Sequence, residues 1–325
     1  MEIELLPQLC GSKHNIWRSF LANAGLEADD AVEQTVLIWD GESLIATGSR
    51  QGNLLKCIAV APFRQGEGLL SKVLTALRQE AFRAGHRHLF LYTKPKNAHL
   101  FSPLLFYPVA QTEYVLLMED RKCGIQDFIG SLATPKQPGN NGAIVMNCDP
   151  FTLGHQHLIS HAAASCDHVY VFVLSEDKGY CSAADRIEMV KQGVAHIPNV
   201  TVLPTGPYLI SSATFPTYFL KQREQADCIQ CMLDIQIFLQ YFAPAFSITR
   251  RYVGSEPLCP ITNRYNEILK ENLPLSGIEV CQIPRLEQSG RPISASAVRA
   301  ALNDKDWDAV RELVPDTTFH YLKQL

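Results

Sequence analysis

The chain has 325 residues, 46% of them hydrophobic and 19% charged, with a net charge of −4. That length allows two domains of ordinary size, and the composition is that of a globular protein. With no basic excess to match a phosphate backbone, no nucleic-acid partner is expected.

The start, Met1-Glu2-Ile3-Glu4-Leu5-Leu6, has no basic stretch and no cleavable apolar run. The longest apolar runs, such as Val169–Leu174, are strand-length and far short of a bilayer span. The expectation is a cytoplasmic protein with no membrane association. Ten cysteines are scattered without framework spacing, which fits reduced thiols. Cys228 and Cys231 form a lone CxxC, and no second pair stands at the spacing a zinc site would want.

The first strand-like run is Leu54–Val60, followed by Ala61-Pro62-Phe63-Arg64-Gln65-Gly66-Glu67-Gly68. An amphipathic helix is predicted from about Leu69 to Ala84, with apolar residues at Leu70, Val73, Leu74, Leu77, Ala81 and Phe82 and a cap at Gly85. A strand over Leu89–Tyr92, a short helix around Asn97–Phe106 and a last strand over Val109–Met118 complete this part. The run Ser131–Asn141, with two prolines and a glycine, reads as a linker between a domain over 1–130 and a second over 142–325.

The second part alternates. Strands are predicted at Gly142–Met146, His168–Leu174, Val200–Leu203, Ser247–Val253 and Ile278–Ile283. Helices are predicted at Gly154–Ala164, Ala183–Ala195, Thr262–Glu271, Ala295–Leu302 and Asp306–Leu313. Such alternation predicts a parallel sheet with helices on both faces and a ligand beyond the carboxyl ends of the strands.

Two short motifs carry the chemistry. The first is Asn147-Cys148-Asp149-Pro150-Phe151-Thr152-Leu153-Gly154-His155. A buried strand ends near Asn147, Asp149-Pro150 forces a turn, and a helix begins near Gly154. Free amide groups and the helix dipole favour a phosphate there. Gly154 allows close approach of a nucleotide, while Thr152 and His155 suit charge developing on an α-phosphate. The second motif is Ile293-Ser294-Ala295-Ser296-Ala297-Val298-Arg299. A helix is expected to start near Ser296 as its cap. Ser294, Ser296 and the free amides would hold the β- and γ-phosphates, and Arg299 would meet the departing pyrophosphate.

These stretches resemble the (H/T)xGH nucleotidyltransferase superfamily, with Thr152-Leu153-Gly154-His155 and Ile293-Ser294-Ala295-Ser296-Ala297-Val298-Arg299 at its two signatures. The resemblance implies a Rossmann-like domain that binds ATP with Mg²⁺ and adenylylates a substrate, with Asn147, Asp149, Gly154 and Ser294 at the nucleotide. The superfamily commonly carries Gly-Ser/Thr-Phe before the Asp/Asn-Pro; Met146-Asn147-Cys148 stands here instead, so Asn147 can donate a hydrogen bond but the hydroxyl that would contact phosphate is missing. No metal ligands are assigned: His157 and His161, four apart on a helix, are either a metal pair or a solvated face. Arg186 either reaches the site or is solvated. The loop Ser211–Pro216 either cups a small carboxylate or is an ordinary turn. Gly254-Ser255-Glu256-Pro257 follows a strand and is expected to open at the ligand edge.

In the first part, Arg64-Gln65-Gly66-Glu67-Gly68 resembles the pyrophosphate loop of the GNAT acyltransferase fold, with Gly66 and Gly68 aiming amides at phosphate. Phe63 stands at that pattern's first position, where Gln or Arg is usual. A GNAT-like mixed-sheet domain ahead of a nucleotidyltransferase-like parallel-sheet domain resembles the citrate lyase ligase family over nearly the whole chain, Thr262-Asn263-Arg264-Tyr265-Asn266 included. That resemblance implies ATP-dependent activation of acetate, then acetylation of the thiol of the CoA-like prosthetic group on the citrate lyase acyl carrier subunit. An enzyme adenylylating a cofactor precursor of the CoA or NAD pathways would share the second-half motifs. A plain GNAT acyltransferase would share only the first.

Overall fold

A computed structural model describes residues 1–132, 137–177, 179–209, 217–218, 220, 226–256, 259–288 and 290–325. The chain divides into two compact units: Met1–Gly124 with Pro216–Ile229, and Ile125–Phe215 with Gln230–Leu325.

In chain order the first unit contains β1 (Glu2–Leu6), α1 (Gly11–Asn23), β2 (Gln34–Asp40), β3 (Ser43–Gln51), β4 (Leu54–Val60), α2 (Leu69–Arg83), β5 (Phe90–Thr93), α3 (Ala98–Phe101), β6 (Tyr107–Gln111) and β7 (Leu116–Glu119). Seven strands form one mixed sheet in the order β1-β2-β3-β4-β5-β7-β6. Of its pairings only β4 with β5 is parallel. The mixed sheet expected of this half is therefore present. Three local readings need correction. Nothing in the sequence reading accounted for the four elements before β4. The expected strand Val109–Met118 is two antiparallel strands joined by a turn. The expected helix Asn97–Phe106 is the single turn α3 flanked by tighter turns at Pro95–Asn97 and Ser102–Leu104.

Helix α2 lies on this sheet through Val73, Leu74, Leu77 and Ala81, all buried. Gly48 of β3 permits the contact: a β-carbon there would come within 2.5 Å of Val73 Cγ1. The parallel pair registers only at Leu54–Phe90 and Leu55–Leu91. Both strands continue past that register unpaired with each other, and the gap between them opens a cleft.

The second unit carries α4 (Gly124–Ser131), β8 (Asn141–Met146), α5 (Leu153–Ser165), β9 (His168–Val173), α6 (Ala183–Val194), β10 (Val200–Pro204), most of α7 (Ala226–Ile237), whose first turn is counted with the first unit, α8 (Ala243–Phe246), β11 (Ile248–Gly254), α9 (Pro260–Asn272), β12 (Glu279–Ile283), β13 (Glu287–Gln288), β14 (Arg291–Pro292), α10 (Ala295–Asn303), α11 (Trp307–Leu313) and α12 (Asp316–Leu322). The five long strands make an all-parallel sheet in the order β10-β9-β8-β11-β12. The run expected to be a linker begins in α4 and ends in β8, where Asn141 is fully buried. Helix α7, the one-residue-wider turn at Phe238–Phe242, α8 and the last helix α12 had no counterpart in the sequence reading.

Buried parallel strands read as continuous apolar runs because both faces are covered, and β9 shows why. Val169, Val171 and Val173 face a core built with Ile159 of α5, Met189 and Val190 of α6, Val298 of α10 and Phe319 of α12. Tyr170 and Phe172 alternate to the other face, where ring centroids lie 4.8 Å (Tyr170–Phe246) and 5.2 Å (Phe172–Phe242) apart. From β8 the chain winds outward through β9 and β10, then crosses to β11 and β12. The order reverses between β8 and β11, and a ligand crevice forms beyond the carboxyl ends at such a reversal.

Candidate active site

The first motif leaves β8 at that crevice. Cys148 is buried with φ +54°, and the Asp149–Pro150 peptide is cis. Thr152 caps α5: its Oγ1 accepts from His155 N at 3.3 Å, and its own N–H donates to His155 Nδ1 at 3.1 Å. This reciprocal box is the usual device at a helix start, with histidine in the place of glutamate or glutamine. Because Nδ1 accepts, the ring proton resides on Nε2. Phe151 stacks on the ring, centroids 5.9 Å apart and planes 14° apart. Burial, reinforced by the charge of Arg285, pushes the His155 pKa down to about 4. The ring is thus neutral at ordinary pH, a fixed Nε2–H donor on a half-buried side chain.

That value has a stability consequence. The unfolded imidazole takes its proton near 6.5 and the folded one only near 4. Between these limits the unfolded chain binds more protons, so stability is complete above about pH 6.5 and falls as pH drops toward 4. Urea titrations should show a loss on the order of 2–3 kcal/mol, discounted for partial exposure, that His155→Gln removes.

Thr152 plays a different part from the one expected. It is 1% exposed, and its hydroxyl is engaged with both the backbone N–H and Nδ1 of His155. It holds the imidazole rather than facing a phosphate. Asp149, 5% exposed, is likewise committed: its two oxygens accept from Tyr180 N (2.9 Å) and Cys181 N (2.8 Å), fastening the loop after β9. Asn147 is exposed at the strand tip, but its Oδ1 accepts from Arg186, whose Nη1 also meets Asn147 O at 3.0 Å. Only the Asn147 amide nitrogen is left to face a ligand. Arg186 is fully buried, bonded as well to the Glu176 carbonyl, so it is neither a solvated side chain nor a direct contact; it fixes Asn147.

The second motif comes off a small hairpin, β13–β14, with Ile293 N donating to Leu286 O at 3.0 Å. Ser294, not Ser296, is the cap of α10, accepting from Ala297 N at 3.2 Å. Ser296 lies exposed in the first turn and accepts from Arg299 Nη2 at 3.2 Å. The leading amides of α5 and α10 remain without intrahelical partners, as at any helix start.

The two motifs meet. A β-carbon on Gly154 would stand 3.2 Å from the Ile293 carbonyl oxygen. The glycine therefore makes room for the second motif. Arg299 Nη1 donates to the Asp149 carbonyl and lies 3.8 Å from its Oδ2. Gly154→Ala gains helix propensity of about 1 kcal/mol, yet it overpacks backbone against backbone. The expected result is a net loss of about 1–2 kcal/mol in urea unfolding, with ATP binding weakened in parallel.

Arg285 was not singled out by sequence. Its N–H and Nε bond Ser255 Oγ (3.1 Å) and O (2.8 Å), and Nη2 pairs with buried Glu256. Ser255 and Glu256, expected at the ligand edge, thus place a cation whose charge is felt at His155. Pro257 and the loop Ser211–Pro216 lie outside the described residues. His157 and His161 have ring centroids 6.4 Å apart, and among the described residues no three His, Cys, Asp or Glu gather as metal ligands. All ten cysteines are free. Among the described residues no helix is long and apolar enough to cross a membrane.

In the first unit a cleft of about 900 Å³ lies between β4 and β5, lined by Gly66, Gly68, Tyr92, Lys94, Lys96 and Tyr218 among others. Gly68 is the left-handed residue (φ +74°) before α2, and no side chain caps that helix. Gly66 and Gly68 therefore lie together at an amide-rich helix start on the cleft wall.

A parallel sheet with a strand-order reversal, two helix starts joined at that reversal and a neutral histidine donor beside them make the second unit an α/β domain with the parts of a phosphate-binding site. Residues 141–322 match the family model for the citrate lyase ligase C-terminal domain. The chain is 44% identical over 306 residues to the citrate pro-3S-lyase ligase of Klebsiella pneumoniae, covering 92% of this chain and 89% of that one. It is 39% identical over 313 residues to the protein of the same name from Escherichia coli K12 (94% and 89% covered). Identity to that from Haemophilus influenzae is 36% over 320 residues (96% of each). The chain belongs to the citrate lyase ligase family.

Proposed function

We propose that this enzyme activates acetate with ATP as acetyl-adenylate. It then passes the acetyl group to the thiol of the CoA-like prosthetic group on the acyl carrier subunit of citrate lyase. The observation that supports this reading is the junction of the two motifs through Gly154, Ile293, Arg299 and Asp149, which brings the starts of two helices, each with unpaired leading amides, together. A carboxylate oxygen of acetate attacks the α-phosphorus in line; the bond to the β-phosphate oxygen breaks and pyrophosphate leaves. The thiol then adds to the acetyl carbon and AMP departs.

The protein's share is positioning and electrostatics, with no protein nucleophile. His155 Nε2–H donates to the phosphoryl oxygens without a proton to lose. The α10 amides, Ser294, Ser296 and the remaining donors of Arg299 hold the leaving pyrophosphate. Mg²⁺ bound with the triphosphate would neutralise charge there; no residue of this chain is assigned to hold it.

Acetate-dependent exchange of pyrophosphate into ATP tests the first half-reaction; a protein that binds ATP but shows no such exchange would sink the proposal. The cleft of the first unit is assigned to the prosthetic arm, whose phosphates suit Gly66, Gly68, Lys94 and Lys96. Reversing charge there with Lys94→Glu and Lys96→Glu together should leave the exchange rate unchanged. It should slow acetylation of the carrier thiol by about 10-fold or more, given roughly 1–3 kcal/mol for charge-assisted contacts. Equal effects on both half-reactions would contradict the assignment.

A further inference from the structure

Arg251 is the cation least accounted for. It lies within β11, between Arg250, which pairs with Glu279 on the surface, and Tyr252, whose hydroxyl meets Ser165 Oγ at 2.9 Å on the α5 side. Strand alternation sends Arg251 to the opposite face, where its guanidinium covers the Phe238 ring at 4.8 Å. It is 3% exposed. Its Nε and Nη1 are buried with no hydrogen-bond partner among the described residues. A buried guanidinium with unmet donors is strongly disfavoured unless something satisfies it.

The anions nearby do not fill that place. Asp234, 7% exposed, accepts from Tyr265 Oη at 2.5 Å. Burial pushes its pKa up to about 6, and Arg251 acts on it only as a charge at a distance. Glu176, which also bears on Asp234, gives its carbonyl to Arg186. Among the described residues no carboxylate closes an ion pair onto Arg251.

We propose that Arg251 seats the carboxylate of the acid substrate, a role that rests on the ligase reading above. A carboxylate is the planar acceptor that matches a guanidinium fork, and Phe238 beneath it supplies an apolar wall. Phe172 and Phe242 pack on the same face of the sheet, an apolar setting that would favour a short aliphatic acid over a polar one. The seat also stands on the strands that frame the nucleotide crevice. Arg251 pairs in register with Ala143 of β8, the strand that delivers the first motif. The loop that carries Glu176 is tied through Arg186 to Asn147. Arg251 and Ala143 each stand three residues before the carboxyl ends of their strands, so a carboxylate held here would lie below the triphosphate position on the same pair of strands.

The test uses the full chain and two variants, Arg251→Met and Arg251→Lys. Pyrophosphate exchange gives KM for acetate and for ATP separately, and saturation-transfer NMR of acetate reads binding without turnover. Both variants are expected to raise KM for acetate by about 30-fold or more, the cost of removing a buried charge partner. KM for ATP should stay within about two-fold, and the acetate NMR signal should vanish. Arg251→Met should remain folded, since an apolar replacement of a buried charge is well tolerated; should it not fold, Arg251→Lys decides, because it keeps charge and loses the fork. A folded variant with an unchanged KM for acetate overturns the proposal. A wild-type protein that binds acetate through Arg251 yet shows no exchange would instead overturn the ligase reading and leave this seat standing.

Discussion

Replacing His155 with Gln should lower the acetate-dependent exchange rate by about 10²–10³-fold, the loss of one preorganised donor worth ~2.7–4 kcal/mol. The melting temperature should shift by no more than a few degrees. Glutamine is the usual partner of an N-cap threonine at this helix position, so its side chain can still receive the Thr152 N–H that Nδ1 now accepts at 3.1 Å. What it cannot supply is the imidazole Nε2–H held against Phe151. His155→Ala is the less informative variant, since it removes the cap and the donor together. Near-normal exchange by a stable His155→Gln protein would remove His155 from the reaction.

Arg299→Lys is expected to reduce exchange by about 10²-fold. The planar fork reaches the Asp149 carbonyl and Ser296 Oγ while keeping further donors for phosphate, and a lysine offers a single point charge. Loss of one charge-assisted hydrogen bond to an anion costs about 1.5–3 kcal/mol, so the fall should appear mainly in kcat with pyrophosphate as the leaving group. Stability should drop by about 1 kcal/mol, because the contact between α10 and the turn at Asp149 is weakened. If the variant loses stability but retains full exchange, Arg299 is a brace between the motifs and nothing more.

Several parts of the site were legible before any coordinates. The apolar run Val169–Leu174 announced a buried strand, and glycine and histidine after a proline turn announced the start of a helix. Other parts were not. Thr152 and His155 are three residues apart in any helix, but only the capping geometry shows that one holds the other. The resemblance placed Asp149 at the nucleotide; its oxygens are taken by Tyr180 and Cys181, about thirty positions on. Arg285 carries no motif, and its weight comes from a fold that brings it to the crevice through Ser255 and Glu256.

Local periodicity and turn chemistry announced from sequence alone the alternating strands and helices of the parallel-sheet domain, and the resemblance to the GNAT fold announced a mixed sheet ahead of it. These signals are short-range: a strand, a cap or a glycine turn depends on residues within one or two turns of itself. Tertiary structure alone decided which hydroxyls, carboxylates and guanidinium groups are spent on the fold and which are left over for chemistry. Burial and partner choice arise between segments tens to hundreds of positions apart, such as Arg299 with Asp149 and Arg186 with Asn147, and no local pattern encodes them.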